Sequence, residues 1–399
     1  MATSVGSVAN RNRVAKLVSS LPPSGIRKFF DLLASLDNVI SLGVGEPDFV
    51  TPWHIREAAM YGLERGETSY TSNYGLIELR SEIARHLERL YQVSYDPRRE
   101  ILVTVGVSEG LDLAMRAILD PGDEVLCPDP GYVSYRPCIQ LAGGTVIPVP
   151  TSFADDFKVR AEEIEARITP RTKAILLGYP SNPTGAVLSR EELAAIARVA
   201  ERHDLIVVAD EIYDRLVYGV EHTCFSSLPG ARDRTILLGG FSKAYAMTGW
   251  RVGYACARPE LLEAMMKIHQ YTMLCAPVMA QLAAIEALRY GERDVQEMVD
   301  EYDRRRRVML TGFRRLGLDC FEPRGAFYVF PSIARTGLSS EAFAERLLNE
   351  ERVAVVPGSA FGERGEGHIR CCYATSLAEI EEAIRRISRF LARLEGKDA

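Results

Sequence analysis

Neither sign of charge prevails in this sequence. Over 399 residues, 48 basic side chains stand against 54 acidic ones, a formal net charge of -6, with both signs spread along the chain. That leaves no global field to draw in nucleic acid or an anionic membrane. Long apolar runs are missing as well. The two longest uncharged stretches, Pro137 to Ala154 and Ile268 to Ile285, reach the length of a membrane span, but prolines, glycines, glutamines, threonines and a histidine interrupt them. Arg11, Arg13 and Lys16 are followed by Ser19, Ser20, Pro22 and Pro23 rather than by an apolar segment, so no secretory signal is expected. None of the eight cysteines forms a C-x-x-C pair, and the adjacent Cys371 and Cys372 sit in what reads as a strand. Buried, reduced thiols in a cytoplasmic protein are the expectation, with no metal site. Low-complexity linkers and repeats of solenoid period are absent too. A content of 47% hydrophobic and 26% charged residues excludes disordered and collagen-like classes. The expected partner is a small molecule.

At about 150 residues per domain the length allows two or three domains, or one large domain with a smaller lobe. From residue 100 to 270, short apolar runs alternate with amphipathic stretches. The runs Ile101 to Val105, Glu124 to Cys127, Thr145 to Val149, Lys173 to Tyr179, Leu205 to Ala209, Thr235 to Leu238 and Arg251 to Ala257 predict strands. Ser189 and Glu192 form a capping box ahead of Leu193, Ile196 and Val199 at helical spacing. Several strands are apolar throughout, which points to a sheet covered on both faces: an α/β fold with a mostly parallel, doubly wound sheet. The last hundred residues differ. A charged helix at Glu292 to Arg315 precedes strands at Ala326 to Pro331, Val353 to Val356 and His368 to Tyr373, and a helix near Ser340 to Asn349. A terminal helix follows a second capping box, Ser376 to Glu379, with Leu377, Ile380, Ile384, Ile387, Leu391 and Leu394 as a packing stripe. Arg304 to Arg307 invite a nucleic-acid reading, but Asp300, Glu301 and Asp303 each precede one of them by four residues, so a solvated helix face is expected.

In an open parallel sheet, ligands collect at the carboxyl ends of the strands. Four such ends carry chemistry. After the first strand come Gly106, Val107 and Ser108, with Ser108 opening a helix whose amides and hydroxyl could hold a phosphate. The strand Lys173 to Tyr179 ends in Pro180-Ser-Asn-Pro-Thr-Gly185, where two prolines fix the backbone around Asn182. Leu205 to Ala209 runs into Asp210 and Tyr213, a carboxylate that is costly there unless a cation or donors meet it. Thr235 to Leu238 leads to Ser242-Lys243 and then Arg251. A lysine, a carboxylate, an amide, a tyrosine and phosphate donors together match what pyridoxal phosphate needs. Gly43-x-Gly45 hints at a dinucleotide loop, but Asp48 fills the third glycine position, and nicotinamide binding is set aside.

The segments Ser41-Leu-Gly-Val-Gly-Glu-Pro-Asp-Phe49, Tyr179-Pro-Ser-Asn-Pro-Thr-Gly185, Asp210-Glu-Ile-Tyr213, Ser242-Lys-Ala-Tyr-Ala-Met-Thr-Gly-Trp-Arg251 and Arg324-Gly-Ala-Phe-Tyr328 resemble the class I branch of the fold type I pyridoxal phosphate aminotransferases. Ser24-Gly-Ile-Arg-Lys-Phe29, His269-Gln-Tyr271 and Pro357-Gly-Ser-Ala-Phe-Gly362 are similar to a subgroup with aromatic amino acid, aspartate, alanine and N-acetyl-diaminopimelate aminotransferases. The resemblance implies a fold type I transferase with a large cofactor domain, 46–285, and a smaller α+β domain from 1–45 plus 286–399. It implies that Lys243 joins the cofactor through an imine and then carries the substrate proton, while Asp210 pairs with the pyridine nitrogen. Asn182 and Tyr213 would bond the ring oxygen, and Tyr132 would stack on the ring. Val107, Ser108, Ser242 and Arg251 would hold the phosphate, with Tyr70 reaching in from the partner of a homodimer. Arg370, helped by Asn182 and the Gly45 amide, would grip the α-carboxylate.

The function so implied is transfer of an amino group from an L-amino acid to a 2-oxo acid by ping-pong half-reactions. A carbon-sulfur β-lyase would share most of these residues. A regulator with an aminotransferase-like domain would carry a winged-helix module, and only about 25 residues precede the resemblance. Where some aspartate enzymes of the branch carry a lysine, this chain has Ser108, which weakens an aspartate assignment. Anionic groups would be met by the local cations Arg251, Arg370 and Lys243, so the net charge bears on solubility rather than on the ligand.

Overall fold

A computed structural model describes residues 13–22 and 37–396. The segment Ser24 to Phe29, with Ile26, lies outside the described residues. The strands are β1 (Ile40–Ser41), β2 (Ile101–Thr104), β3 (Glu124–Asp129), β4 (Thr145–Pro150), β5 (Thr172–Gly178), β6 (Ile206–Asp210), β7 (Thr235–Gly240), β8 (Gly253–Cys256), β9 (Tyr328–Val329), β10 (Val353–Ala354), β11 (Val356–Pro357) and β12 (Ile369–Cys372). All seven runs expected between residues 101 and 257 form strands, with ends within two residues of the sequence reading. They make one sheet in the order β2-β8-β7-β6-β5-β3-β4, in which β8 alone runs antiparallel to its neighbours. Alternate residues of these strands feed two separate cores. Val103, Leu126, Ile175, Val207 and Leu237 face one core, with the helices Ile77–Tyr91 and Arg190–Arg202. Leu102, Val125, Leu176, Val208 and Ile236 face the other, with the helices Gly106–Ile118 and Pro259–Thr272. Burial on both faces is why these runs are apolar without alternation.

A third core gathers the helices Glu292–Arg315, Ser340–Glu351 and Leu377–Leu394 against β9, β10 and β12. β12 lies antiparallel between β11 and β9, and β1 pairs in parallel with β10. The single strand expected at Val353 to Val356 is two short ones in different sheets. Leu42 is buried, accepts from the Cys372 amide and donates to Ala354, so the stretch leading to Gly43 and Gly45 is tied to the strand that carries Arg370.

Both cap signatures start helices, but only the first box is complete. At the second, the Glu379 carboxylate accepts from the hydroxyls of Thr375 and Ser376 instead of the Ser376 backbone. The four arginines are not one solvated face. Successive helical residues turn by about 100°, so Arg304 and Arg307 stay exposed while Arg305 and Arg306 turn inward and are buried. Arg305 holds both oxygens of Asp48 at 2.8 and 2.9 Å, and Arg306 bonds Asp303, Glu322 and the Pro323 carbonyl. The arginine run thereby anchors the Ser41 to Phe49 segment.

Candidate active site

The parallel register brings the strand ends together. Gly178, Asp210 and Leu238 lie side by side at the carboxyl ends of β5, β6 and β7. Asn182 follows four residues after the first of them, and Lys243 five after the last. Asn182, Asp210 and Lys243 line a cavity of about 410 Å³ with Val107, Ser108, Tyr132, Tyr213, Ser242, Arg251, Gly45 and Arg370. Of the residues singled out in the sequence, Tyr70 alone is absent from that lining. It is 82% exposed on the surface of the chain.

Lys243 donates from Nζ to the Gly45 carbonyl at 2.7 Å. Burial lowers its pKa to about 8, with Arg370 and Arg251 pushing the same way against Cys372 and Glu46. At pH 7 roughly one such amine in ten is neutral, against about one in a thousand for a free lysine, so the site favours a nucleophilic amine. Asp210 moves oppositely. Burial raises it to about 6, opposed by the Tyr135 hydroxyl at 2.9 Å and the Ile212 amide at 3.3 Å. A cation facing this carboxylate would recover the energy of burying it.

Arg370 is buried on β12. Nη1 donates to Asn182 Oδ1 at 2.9 Å and Nη2 to the Gly43 carbonyl at 2.7 Å. Its Nε is buried without a partner, one donor of the fork left for a ligand. Gly45 supplies its carbonyl to Lys243, and the arginine's backbone partner is Gly43.

Gly106, not Ser108, opens the helix after β2. Val105 stands at the N-cap without a side-chain cap, and Ser108 lies in the first turn. Gly106 has a φ of 73°, and a Cβ there would come within 2.7 Å of Arg251 Nη2. Gly253 closes the other side, where a Cβ would meet the Val107 nitrogen at 2.8 Å. Arg251 and Ala246 hold left-handed backbone at φ 55° and 52°, a conformation worth roughly 1 kcal/mol of strain each.

Residues 37–387 match the family Aminotransferase class I and II. The chain belongs to that family. It is 46% identical to an aspartate aminotransferase of Pyrococcus abyssi, covering 92% of this chain and 96% of the relative. It is 43% identical to aromatic-amino-acid aminotransferase 2 of Thermococcus litoralis over the same shares. The solved aspartate aminotransferase of Thermus thermophilus with maleate superposes with a TM-score of 0.91 at 39% identity, covering 95% of this chain and 99% of that one. The chain is therefore a pyridoxal-phosphate-dependent aminotransferase of fold type I. Its cavity fits the cofactor on independent grounds: a helix N-terminus beside Arg251 that only glycine leaves open, an amine of lowered pKa, and a buried carboxylate.

Tyr135, Tyr328 and Glu46 also line the cavity of this aminotransferase, and the sequence assigns none of them a role, although Tyr328 and Glu46 stand inside the motifs. Tyr135 bonds Asp210 and packs edge-on to Tyr132, with ring centroids 5.4 Å apart. Tyr328 bonds Tyr213, and Glu46 accepts from Thr248. Asp210 also yields a pH prediction. A carboxyl whose folded pKa lies above its unfolded value costs stability once ionised, a penalty that grows from about pH 4 and is complete above about pH 6. A shift from 3.8 to about 6 corresponds to about 3 kcal/mol. Cofactor-free Asp210→Asn is expected to melt above the wild type at pH 8 and level with it at pH 4. Equal melting at both pH values would remove the assigned burial cost.

Proposed function

We propose that this aminotransferase takes L-amino acids with uncharged, preferentially aromatic side chains as donors and returns the amino group to a 2-oxo acid. The observation that carries this is the charge inventory of the cavity. Among the described residues its cations are Lys243, Arg251 and Arg370, and its only other charged groups are Asp210 and Glu46. Each cation has a partner in the reading: cofactor, phosphate and α-carboxylate. A second carboxylate would meet Glu46 instead, while Tyr132, Tyr135 and Tyr328 offer aromatic surface.

Bound at Lys243, the cofactor supplies an electron sink that makes the substrate α-hydrogen acidic. Asp210 would face the pyridine nitrogen as an anion, and Tyr132 would pack on the ring. Asn182 and Tyr213 would donate to the ring oxygen. The Val107 and Ser108 amides, Ser242 and Arg251 would hold the phosphate. Arg370 would orient the α-carboxylate, and Lys243 Nζ would take up the substrate α-hydrogen as a proton and hold it for return.

A homodimer completes this reading, with Tyr70 of the partner subunit at the phosphate. The exposed Trp53, Met60, Tyr61, Tyr70, Tyr271 and Met273 support it, as large apolar side chains left uncovered on the single chain. The domain division 46–285 against 1–45 plus 286–399 is supported by the third core, although parts of the N-terminal segment lie outside the described residues. A cytoplasmic location is supported by six buried cysteines and no disulfide among the eight. No described helix is long and apolar enough to cross a membrane.

The test is a donor screen with the loaded enzyme, using 2-oxoglutarate or pyruvate as acceptor. Phenylalanine or tyrosine is expected to exceed aspartate in kcat/KM by at least about tenfold. A preference for aspartate overturns the substrate reading. Pyruvate and ammonia released from cystathionine without any acceptor would instead favour a lyase.

A further inference from the structure

Tyr328 stands between Tyr213, Arg370 and Gly45 in the cavity. It is 1% exposed on β9, opposite Cys372 and so beside Arg370 on the neighbouring strand. Its hydroxyl lies 2.8 Å from that of Tyr213. Its ring lies 4.4 Å from the Arg370 guanidinium carbon, which is also 4.9 Å from the Phe361 ring. A Cβ on Gly45 would collide with the Tyr328 hydroxyl, so Gly45 and Tyr328 approach as closely as they do only because one of them is glycine.

We propose that Tyr328 is a positioning residue toward both cofactor and substrate: its hydroxyl donates to Tyr213 and so directs the Tyr213 proton at the cofactor ring oxygen, while its ring holds the plane of Arg370. This rests on the roles given above to Tyr213 and Arg370. Each phenol carries one hydrogen, and if Tyr213 spends its own on the cofactor, its oxygen must accept the hydrogen of Tyr328. A phenol that accepts becomes the better donor, because hydrogen bonds in a chain polarise one another. Burial pushes both phenols up, so both remain protonated donors across the working pH range. The other groups facing the pair are Arg370, Tyr132, Cys372 and the Lys243 amine, 5.7 Å from the Tyr213 ring centre. An arginine lying over aromatic rings keeps its plane and remains free to use its edge for a carboxylate.

The two contributions separate by substitution. Absorption of the cofactor bound at Lys243 reports the proton shared between the lysine nitrogen and the ring oxygen. A ring oxygen that loses donor strength becomes more basic and holds that proton more tightly. Tyr328→Phe, which removes only the hydroxyl, is expected to raise the midpoint of this absorption titration by about half a pH unit, with donor KM within about twofold. Tyr328→Met, which also removes the ring, is expected to show the same midpoint and a donor KM raised about tenfold. An unmoved midpoint in Tyr328→Phe overturns the relay, and an unmoved KM in Tyr328→Met overturns the support of Arg370. If Tyr328→Met does not fold, the phenylalanine variant still decides the hydroxyl claim. Tyr213→Phe is the control: if it leaves the midpoint unmoved, the reading of Tyr213 fails, and if it moves the midpoint while Tyr328→Phe does not, only the present inference fails.

Discussion

Replacing Lys243 with alanine is expected to lower kcat by about 10⁴-fold or more, because in the proposed function one side chain supplies both the covalent attachment and the proton carrier. No neighbour can take over. The other two cations lining the cavity are arginines, which do not deprotonate near neutral pH. Stability is not the reason for the loss. A buried lysine whose pKa has fallen to about 8 costs the folded state free energy when charged, so its removal relieves the protein and leaves only the Gly45 carbonyl without its donor. The variant should therefore fold, bind the cofactor without a covalent bond and lose it on dialysis. Single-turnover absorption together with a thermal melt separates these outcomes. Turnover within tenfold of the wild type would remove Lys243 from the chemistry.

The strand ends were legible because they break a strong pattern. Five apolar residues followed at once by Asp210, and a strand that runs through Gly239 and Gly240 to Ser242 and Lys243, are not explained by packing, and the parallel register places these ends together. Tyr135 and Tyr328 were not legible for the opposite reason. An aromatic at the start of a helix or in a short apolar strand is what a core requires, and nothing local marks its hydroxyl as facing a site. Their signal lay in other residues. A Cβ on Gly178 would collide with the Tyr135 hydroxyl and one on Gly45 with that of Tyr328, so a glycine ending an apolar strand, or sitting in a motif, marks where another side chain must approach.

Charge spacing alone makes the arginine run a solvated face, whereas the apolar spacing of the same helix places two of the four inside. Tyr302, Met309, Leu310 and Phe313 form the buried stripe of that helix, and Arg305 and Arg306 fall on the same face at helical spacing. Counting charge pairs along the sequence found the ion pairs of Arg305 and Arg307 but overlooked the face. The half-formed box at Ser376 shows a similar competition. Thr375 offers the Glu379 carboxylate a nearer hydroxyl than the backbone amide that the box pattern requires.

Changing Arg370 to lysine should lower kcat/KM for the donor by about 10²- to 10⁴-fold, with cofactor binding little changed. A planar fork can hold a carboxylate by two charge-assisted bonds at roughly 1.5 to 3 kcal/mol each, about 3 to 6 kcal/mol together. Lysine keeps the charge and loses the plane. It would leave Asn182 Oδ1 and the Gly43 carbonyl, which Nη1 and Nη2 now satisfy, competing for one ammonium, and it could not lie between the rings of Tyr328 and Phe361. A second readout comes from the lysine. Arg370 is one of the charges that hold the Lys243 pKa down, so a neutral substitution, Arg370→Met, should raise the Lys243 pKa in the cofactor-free protein, while Arg370→Lys should not. Loss of donor affinity in both variants with a lysine shift in only one separates the fork from the charge. Donor affinity retained in Arg370→Lys would mean that positive charge alone holds the carboxylate, and the bidentate account would fall.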